Sequence, residues 1–397
     1  MVRSFVDNIA QWSRFQKNRN LMIQVSFLIF VALLGTYLFS RAFQLELSLS
    51  HFRSRAGFGL SHTFLVDYTS NDSRWVAYFT GVVNTIRVCL VAIFLTTILG
   101  TIMGVARLSK NFLTSRIAWT YVEVLRNTPL LIQIIFWQIV FLQLPQISEA
   151  ITFGDTTAIS NRGILLPWIS DNGGAQIWFI FLGMVAAGSL FLSYFLNKRE
   201  DESGKYLSLA GKKLNGNLVG IIFFMIAAIV TFFAFGRPVS MDIPEIIQNN
   251  KGTWMQSGGF DLSPEFAAIL FALVIYTGTF ITEIVRGSIQ SLSRGQTEAA
   301  EAIGLSKYQA MTLVILPQAL RSIIPPLTNQ FLNLTKNSSL AVVIAYPDLF
   351  MVSRTIMNNS GHALPVFFLI LLTYLFLSLC ISLVMNLINR RVTRIGA

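Results

Sequence analysis

The chain has 397 residues, 12% of them charged and 53% apolar, with 33 phenylalanines. Soluble proteins carry about 25% charged residues, and a chain with half that share cannot cover its own surface. A soluble globule, a disordered or collagenous chain and a disulfide-rich secreted scaffold are all excluded, which leaves a membrane protein. Cys89 and Cys380 both lie inside apolar runs, so neither a structural bridge nor redox chemistry is indicated.

Eight stretches are long and apolar enough to cross a bilayer core of about 30 Å. In chain order they are Leu21–Ser40, Asn84–Ala106, Ala118–Leu142, Ala175–Leu196, Leu218–Gly236, Glu265–Arg286, Leu320–Ala345 and Leu364–Ile388. The fold class is therefore all-α and polytopic. The first span follows a polar segment, residues 1–20, and precedes Arg41-Ala42-Phe43 rather than a small-residue cleavage site, so it is expected to remain as an uncleaved anchor. With the N-terminus inside, the inner segments hold 19 Lys and Arg and the outer loops hold 8, while Arg87, Arg126 and Lys336 fall within spans. The positive-inside rule then puts both termini in the cytoplasm. The net charge of +11 is a topology signal, not a nucleic-acid footprint.

Along the spans, Arg87 is expected to snorkel to the headgroups. Glu123 with Arg126, and Glu283 with Arg286, can close as i,i+3 ion pairs. Asn127-Thr128-Pro129 should kink the third span, because Pro129 removes a helical hydrogen bond. The chain has no Gly-rich phosphate loop and no zinc-ligand spacing, and its three histidines, 51, 62 and 362, lie outside the spans. No catalytic or metal-binding residue is expected. The outer stretches at about 41–83, 143–174 and 237–264 are too short for a soluble catalytic domain.

The loop after the sixth span is unusually regular. Ser293-Arg294-Gly295-Gln296 has capping-box spacing, strong helix formers continue to Ile303, and Gly304 supplies a left-handed turn. Ser306-Lys307-Tyr308-Gln309 repeats the capping box, and the second helix is expected to run until Pro317 interrupts it. Ala299, Ala300 and Ala302 leave a thin face that a groove on another protein could approach. In the seventh span, Asn329, Asn333 and Asn337 recur at i, i+4 and i+8 with Lys336 beside them. A Lys there costs at least ~2.5 kcal/mol on insertion scales, so it must face a cavity or a partner. The stripe either bonds neighbouring helices around a structural ion pair, or lines a path in which Lys336 meets a substrate carboxylate.

Glu298-Ala299-Ala300, three residues, Gly304, nine residues, then Val314-Ile315-Leu316-Pro317 resembles the loop shared by membrane subunits of ABC importers, with Val314 in place of the usual Ile. Its flanks, Tyr276-Thr277-Gly278-Thr279-Phe280-Ile281-Thr282-Glu283-Ile284-Val285-Arg286-Gly287 and Ile315-Leu316-Pro317-Gln318-Ala319-Leu320-Arg321, look like those of the polar amino acid uptake permeases. Upstream, Asn84-Thr85-Ile86-Arg87 and the stretch from Tyr121 to Leu131 are similar to the start of the same domain. The resemblance covers about 80–145 and 261–397, including the cytoplasmic loop 287–319. The anchor at 21–40 and a two-span insertion at 146–260 are additions. That long form resembles the larger permease subunit of general L-amino acid and glutamate/glutamine/aspartate/asparagine uptake systems.

This resemblance implies a type I importer permease fold with an extra N-terminal helix and a two-helix insertion, in the bacterial cytoplasmic (inner) membrane. It implies transport of polar L-amino acids together with a second permease subunit, two ATP-binding subunits and a periplasmic amino-acid-binding protein. ATP and Mg would sit on the ATPase partners, with no cofactor on this chain. Glu298, Ala299, Ala300, Ala302, Gly304, Leu316 and Pro317 would form the docking loop. Lys336-Asn337-Ser338-Ser339-Leu340 resembles the family's segment near the membrane-embedded amino-acid site, which brings Asn329, Asn333, Lys336, Asn337 and Ser338 to the substrate path. An ion-coupled secondary transporter is the alternative, but it should show inverted repeats, and no clear repeat is legible. A membrane enzyme would need His, Asp or Cys clustered within the spans, and the spans hold no His.

Overall fold

The computed structural model describes residues 16–44, 48–154, 156–203, 208–209, 212–213, 215–249 and 252–394. Most of the polar N-terminal segment expected at the inner face, residues 1–15, lies outside them. Seven helices are long and apolar enough to cross a membrane, or eight if one sharply bent pair counts as a span. The described residues up to Ile135, together with those from Ile269 onward, form one unit, and Phe136–Ala268 form a second.

In the first unit, α1 (Gln16–Gln44) coincides with the expected anchor, and its apolar window is fully exposed. A loop follows, and then α2 (Arg74–Arg107). At 34 residues, α2 is roughly 50 Å long and projects beyond the apolar core. Asn111 caps α3 (Phe112–Arg126) by accepting from the Thr114 amide at 3.1 Å. α4 (Leu130–Leu142) turns away from α3 by 104°. The third span is thus a broken pair that starts earlier than expected, and Pro129 stands at the break. Pro129 has no N–H for the Leu125 carbonyl, and the Gln133 side-chain amide donates to that carbonyl at 2.8 Å and to the Thr128 carbonyl at 3.0 Å. Without this the apolar interior would hold unsatisfied backbone.

α7 (Pro264–Gln290) is the most enclosed span, with 67% of its apolar window buried. It starts as helices favour, with Ser263 Oγ accepting from the Phe266 amide and Pro264 in the first turn. α2 approaches it on Gly100 and Gly104. A Cβ at Gly100 would lie 2.5 Å from Ile281, and one at Gly104 would lie 2.7 Å from Val285. This is the small-xxx-small contact of membrane helices. Ile281 and Val285 continue into an apolar cluster with Ala319, Ile323, Leu327 and Phe331.

After the short helix α8 (Arg294–Ala302), α9 runs over Lys307–Ile344 without a break at Pro317. The expected interruption does not occur. A π-helical turn, Ala310–Ile315, precedes Pro317, which sits in the first turn of the regular helix that follows and needs no N–H there. The last stretch, Ser338–Ile344, tightens to 3₁₀ geometry and ends at Ala345, which is left-handed (φ 57°). α10 (Leu349–Ser360), which was not expected, is capped by Asp348, and α11 is Ala363–Arg394. Asn84 and Thr85 of α2 hold the α9–α10 turn. The Asn84 amide donates to the Pro347 carbonyl at 2.9 Å, and the Thr85 hydroxyl accepts from the Leu349 amide at 2.8 Å.

In the second unit, α5 (Ala175–Ser203) and α6 (Gly216–Ala234) are the two inserted spans. They close on small residues, with Ser189 Oγ donating to the Gly220 carbonyl at 2.7 Å. The flanking stretches hold short strands that no alternation announced. β1 (Ile151–Phe153), β2 (Thr157–Ser160), β3 (Gly163–Leu166) and β4 (Phe260–Leu262) form an antiparallel sheet in the order β1-β2-β3-β4. Two further hairpin-like pairs join Trp168–Asp171 to Val239–Asp242 and Glu245–Gln248 to Trp254–Ser257.

Candidate functional site

The site is built from α8 and the helix α9 that it leads into. α8 stops at a Gly-dependent turn. Gly304 takes φ +82°, its amide donates to the Glu301 carbonyl at 3.0 Å, and the Leu305 amide donates to the Ala300 carbonyl at 3.1 Å. These are the paired bonds of a Schellman C-cap. α9 then starts from a complete capping box between Ser306 and Gln309. The first capping box does not form. Ser293 is the N-cap of α8 but its side chain accepts nothing, the Gln296 amide donating to the Ser293 carbonyl at 3.1 Å. The reciprocal half is lost as well, because the Gln296 side-chain oxygen accepts from the Gln318 side-chain amide at 2.9 Å.

The alanine face also needs correction. Ala300 is 2% exposed and faces the π-helical start of α9, where Ala310 and Ile315 are buried too. The thin outward face is Gly295, Glu298, Ala299 and Ala302, all exposed. Beside it stand three large apolar side chains that sequence reading passed over: Ile303 (75% exposed), Tyr308 (78%) and Leu313 (65%). Apolar residues of that size in a polar loop were the available signal for a surface that something covers. Pro317 is exposed and Leu316 half-buried. A cavity of about 780 Å³ lies under the loop, lined among others by Lys110, Gln290, Thr297, Glu301, Lys307 and Met311.

Further along α9 the helix divides into two faces. Ile323, Ile324, Leu327, Phe331, Leu334 and Thr335 are buried, whereas Ser322, Pro325, Asn329, Asn333 and Lys336 are exposed. The expected stripe therefore exists as one open polar face along a membrane helix. Asn337 is at its edge, half-buried, and Ser338 is turned inward, donating to the Thr335 carbonyl at 2.8 Å. The Lys336 ammonium has no ion-pair partner among the described residues.

The other intramembrane charges are committed to structure. Glu283 pairs with Arg286 at 2.8 Å, as the spacing suggested, and also with Arg107. The Glu123–Arg126 pair does not form. Glu123 accepts from the Asn127 side chain, and the Arg126 guanidinium lies 5.5 Å from the Phe280 ring centroid. The Arg87 guanidinium lies over the Phe64 ring, 4.6 Å from its centroid. No group of three or more His, Cys, Asp or Glu able to hold a metal occurs among the described residues.

Residues 96–394 match the family of binding-protein-dependent transport system inner membrane components. The general L-amino acid transport system permease protein AapQ of Rhizobium johnstonii is 38% identical over 341 residues, covering 85% of this chain and 82% of its own. The putative amino-acid ABC transporter permease protein YhdX of Escherichia coli is 36% identical, covering 85% and 83%. The glutamate/glutamine/aspartate/asparagine transport system permease protein BztB of Rhodobacter capsulatus is also 36% identical, covering 87% and 86%.

Proposed function

Because the chain belongs to the family of binding-protein-dependent transport system inner membrane components, we propose that it is the larger permease subunit of an importer for polar L-amino acids, working beside a second permease subunit. Two ATP-binding subunits carrying ATP and Mg dock on its inner loop, and an outer amino-acid-binding protein delivers the substrate. Both termini face the cytoplasm, as the distribution of Lys and Arg supports. The names of the relatives support the substrate class. The family match disfavours an ion-coupled secondary transporter.

One observation carries the mechanism: α8, with its exposed face Gly295–Ala302, is bonded to the same helix that bears the open polar face Asn329–Lys336. The ATPase partners close on Glu298, Ala299, Ala302 and the exposed Ile303. Ala300 and Gln296 pass that displacement to the start of α9, and the polar face moves with it. Gly304 ends α8 so that the push is not absorbed by continuing helix. The polar face meets the second permease across a water-filled path, where Lys336 is a donor for a carboxylate. Coupling follows from differential contacts of the loop in the two states of the ATPases. The test is reconstitution of the chain with its neighbouring permease, ATPase and binding-protein subunits. The reading predicts amino-acid uptake that requires both ATP and the binding protein. Uptake driven by an ion gradient without ATP would overturn it.

A further inference from the structure

A second cavity, of about 200 Å³, lies where the C-terminal ends of α2 and α7 meet the first turns of α3, and it is lined by Arg107, Ser115, Arg116, Trp119, Arg286 and Gln290. Three guanidinium groups line it, and two of them share one carboxylate. Glu283 binds both Arg107 and Arg286, and Arg286 is further held by donating to Gln290 Oε1 at 2.6 Å. Arg116 has no carboxylate partner among the described residues and instead packs 5.3 Å from the Phe112 ring and 5.6 Å from the Trp119 ring. The cluster therefore keeps two positive charges in excess, on side chains already fixed in place.

We propose that this cavity binds the phosphate of an anionic phospholipid in the inner leaflet. Guanidinium forks match phosphate oxygens in geometry as well as charge. Basic pockets between membrane helices on the cytoplasmic side are the setting in which anionic headgroups bind. The surroundings distinguish a lipid from a soluble anion. Phe112, whose ring packs against Arg116, is an exposed apolar side chain next to the cavity, Trp119 is at its rim, and Leu113 and Ile117 continue the exposed apolar surface round the same helix. An acyl chain covers such a wall, an inorganic ion does not, and a tryptophan suits the headgroup level. The leaflet rests on the orientation proposed above, but the binding site itself does not.

The experiment uses the full chain reconstituted with its partner subunits in vesicles of identical leaflets, so a wrong orientation does not mimic a missing site. The vesicles contain either brominated phosphatidylglycerol or brominated phosphatidylcholine, and the Trp119 contribution to fluorescence is isolated by difference from Trp119→Phe. Brominated phosphatidylglycerol should quench that contribution with about fivefold higher relative association. Arg116→Gln should remove the preference, and Arg116→Lys should retain part of it. Inorganic phosphate in excess should leave the preference unchanged. Equal quenching by both lipids, a preference that survives Arg116→Gln, or its loss to inorganic phosphate would each overturn the assignment. The comparison of the two lipids on the wild-type protein stands without any variant.

Discussion

Gln318 donates to Gln296 across 2.9 Å, tying the short helix α8 to the membrane helix that carries the polar face. Together with buried Ala300, it makes the loop and α9 one mechanical element. The two sides of α8 should therefore respond differently to substitution. Ala299→Trp, on the exposed side, should leave thermal stability unchanged and separate ATP hydrolysis from uptake in proteoliposomes. Ala300→Leu should instead destabilise the protein by about 1–3 kcal/mol, because it overpacks the contact with α9. Gly304→Leu adds a left-handed strain of about 1–2 kcal/mol and should weaken both stability and coupling. A stable, fully coupled Ala299→Trp complex would remove this face from docking.

Gln133 repairs the break at Pro129. Gln133→Leu should leave the Leu125 and Thr128 carbonyls unsatisfied, at about 1–3 kcal/mol each, and lower the melting temperature in detergent. In a Pro129→Ala background residue 129 has its own N–H for Leu125, so the same substitution should cost less. An equal loss in both backgrounds would show that Gln133 acts elsewhere.

The loop between α1 and α2 carries a pH dependence. His51 donates from Nδ1 to the Ser48 carbonyl at 3.0 Å and stacks on His362 at 4.5 Å, with Arg74 nearby, and its buried Nε2 has no acceptor. Burial holds its pKa below the ordinary histidine value, assisted by the charges of His362 and Arg74. The unfolded segment thus takes up a proton near pH 6.5 while the folded one still resists it. Stability contributed here is intact above about pH 6.5 and falls as the pH drops through that value towards the lower folded one. Protection factors of residues 48–73, taken relative to the intrinsic exchange rate at each pH, should fall between pH 7 and pH 5.5, and His51→Phe should flatten the profile.

Lys336 has no carboxylate partner among the described residues, so its removal strands no buried charge among them. Lys336→Met should keep the melting temperature of the complex and lower amino-acid uptake on the order of tenfold, the worth of one charged hydrogen bond. A collapsed melting temperature would point to a carboxylate on the partner permease instead.

The helices were legible because hydropathy and the positive-inside count act over twenty residues at a time. The Gly304 turn and the Ser306 capping box were legible because each is decided within a few residues. What escaped was decided by distant neighbours. Three identical alanines cannot announce which one α9 will bury. Half of the Ser293 box is lost because Gln318, twenty-two residues from Gln296, claims the side chain it needed. The strands of the insertion are three or four residues long, too short for alternation to register. Gly100 and Gly104 were readable as a close-packing motif, and Asn84 and Thr85 as polar residues in a span, but their partners on α7 and in the α9–α10 turn lie more than 170 residues away.

The central claim is that the polar face of α9 lines a water path whose access changes with the ATPase cycle. Its most direct test is thiol accessibility at Asn333→Cys, in a chain with Cys89 and Cys380 replaced, assembled with its partners in vesicles. A membrane-impermeant maleimide should label Cys at 333 from one side in the resting complex and from the other after trapping with ATP and vanadate, and substrate amino acid should slow both reactions. Labelling only by lipid-soluble reagents, unaffected by ATP or substrate, would contradict the account.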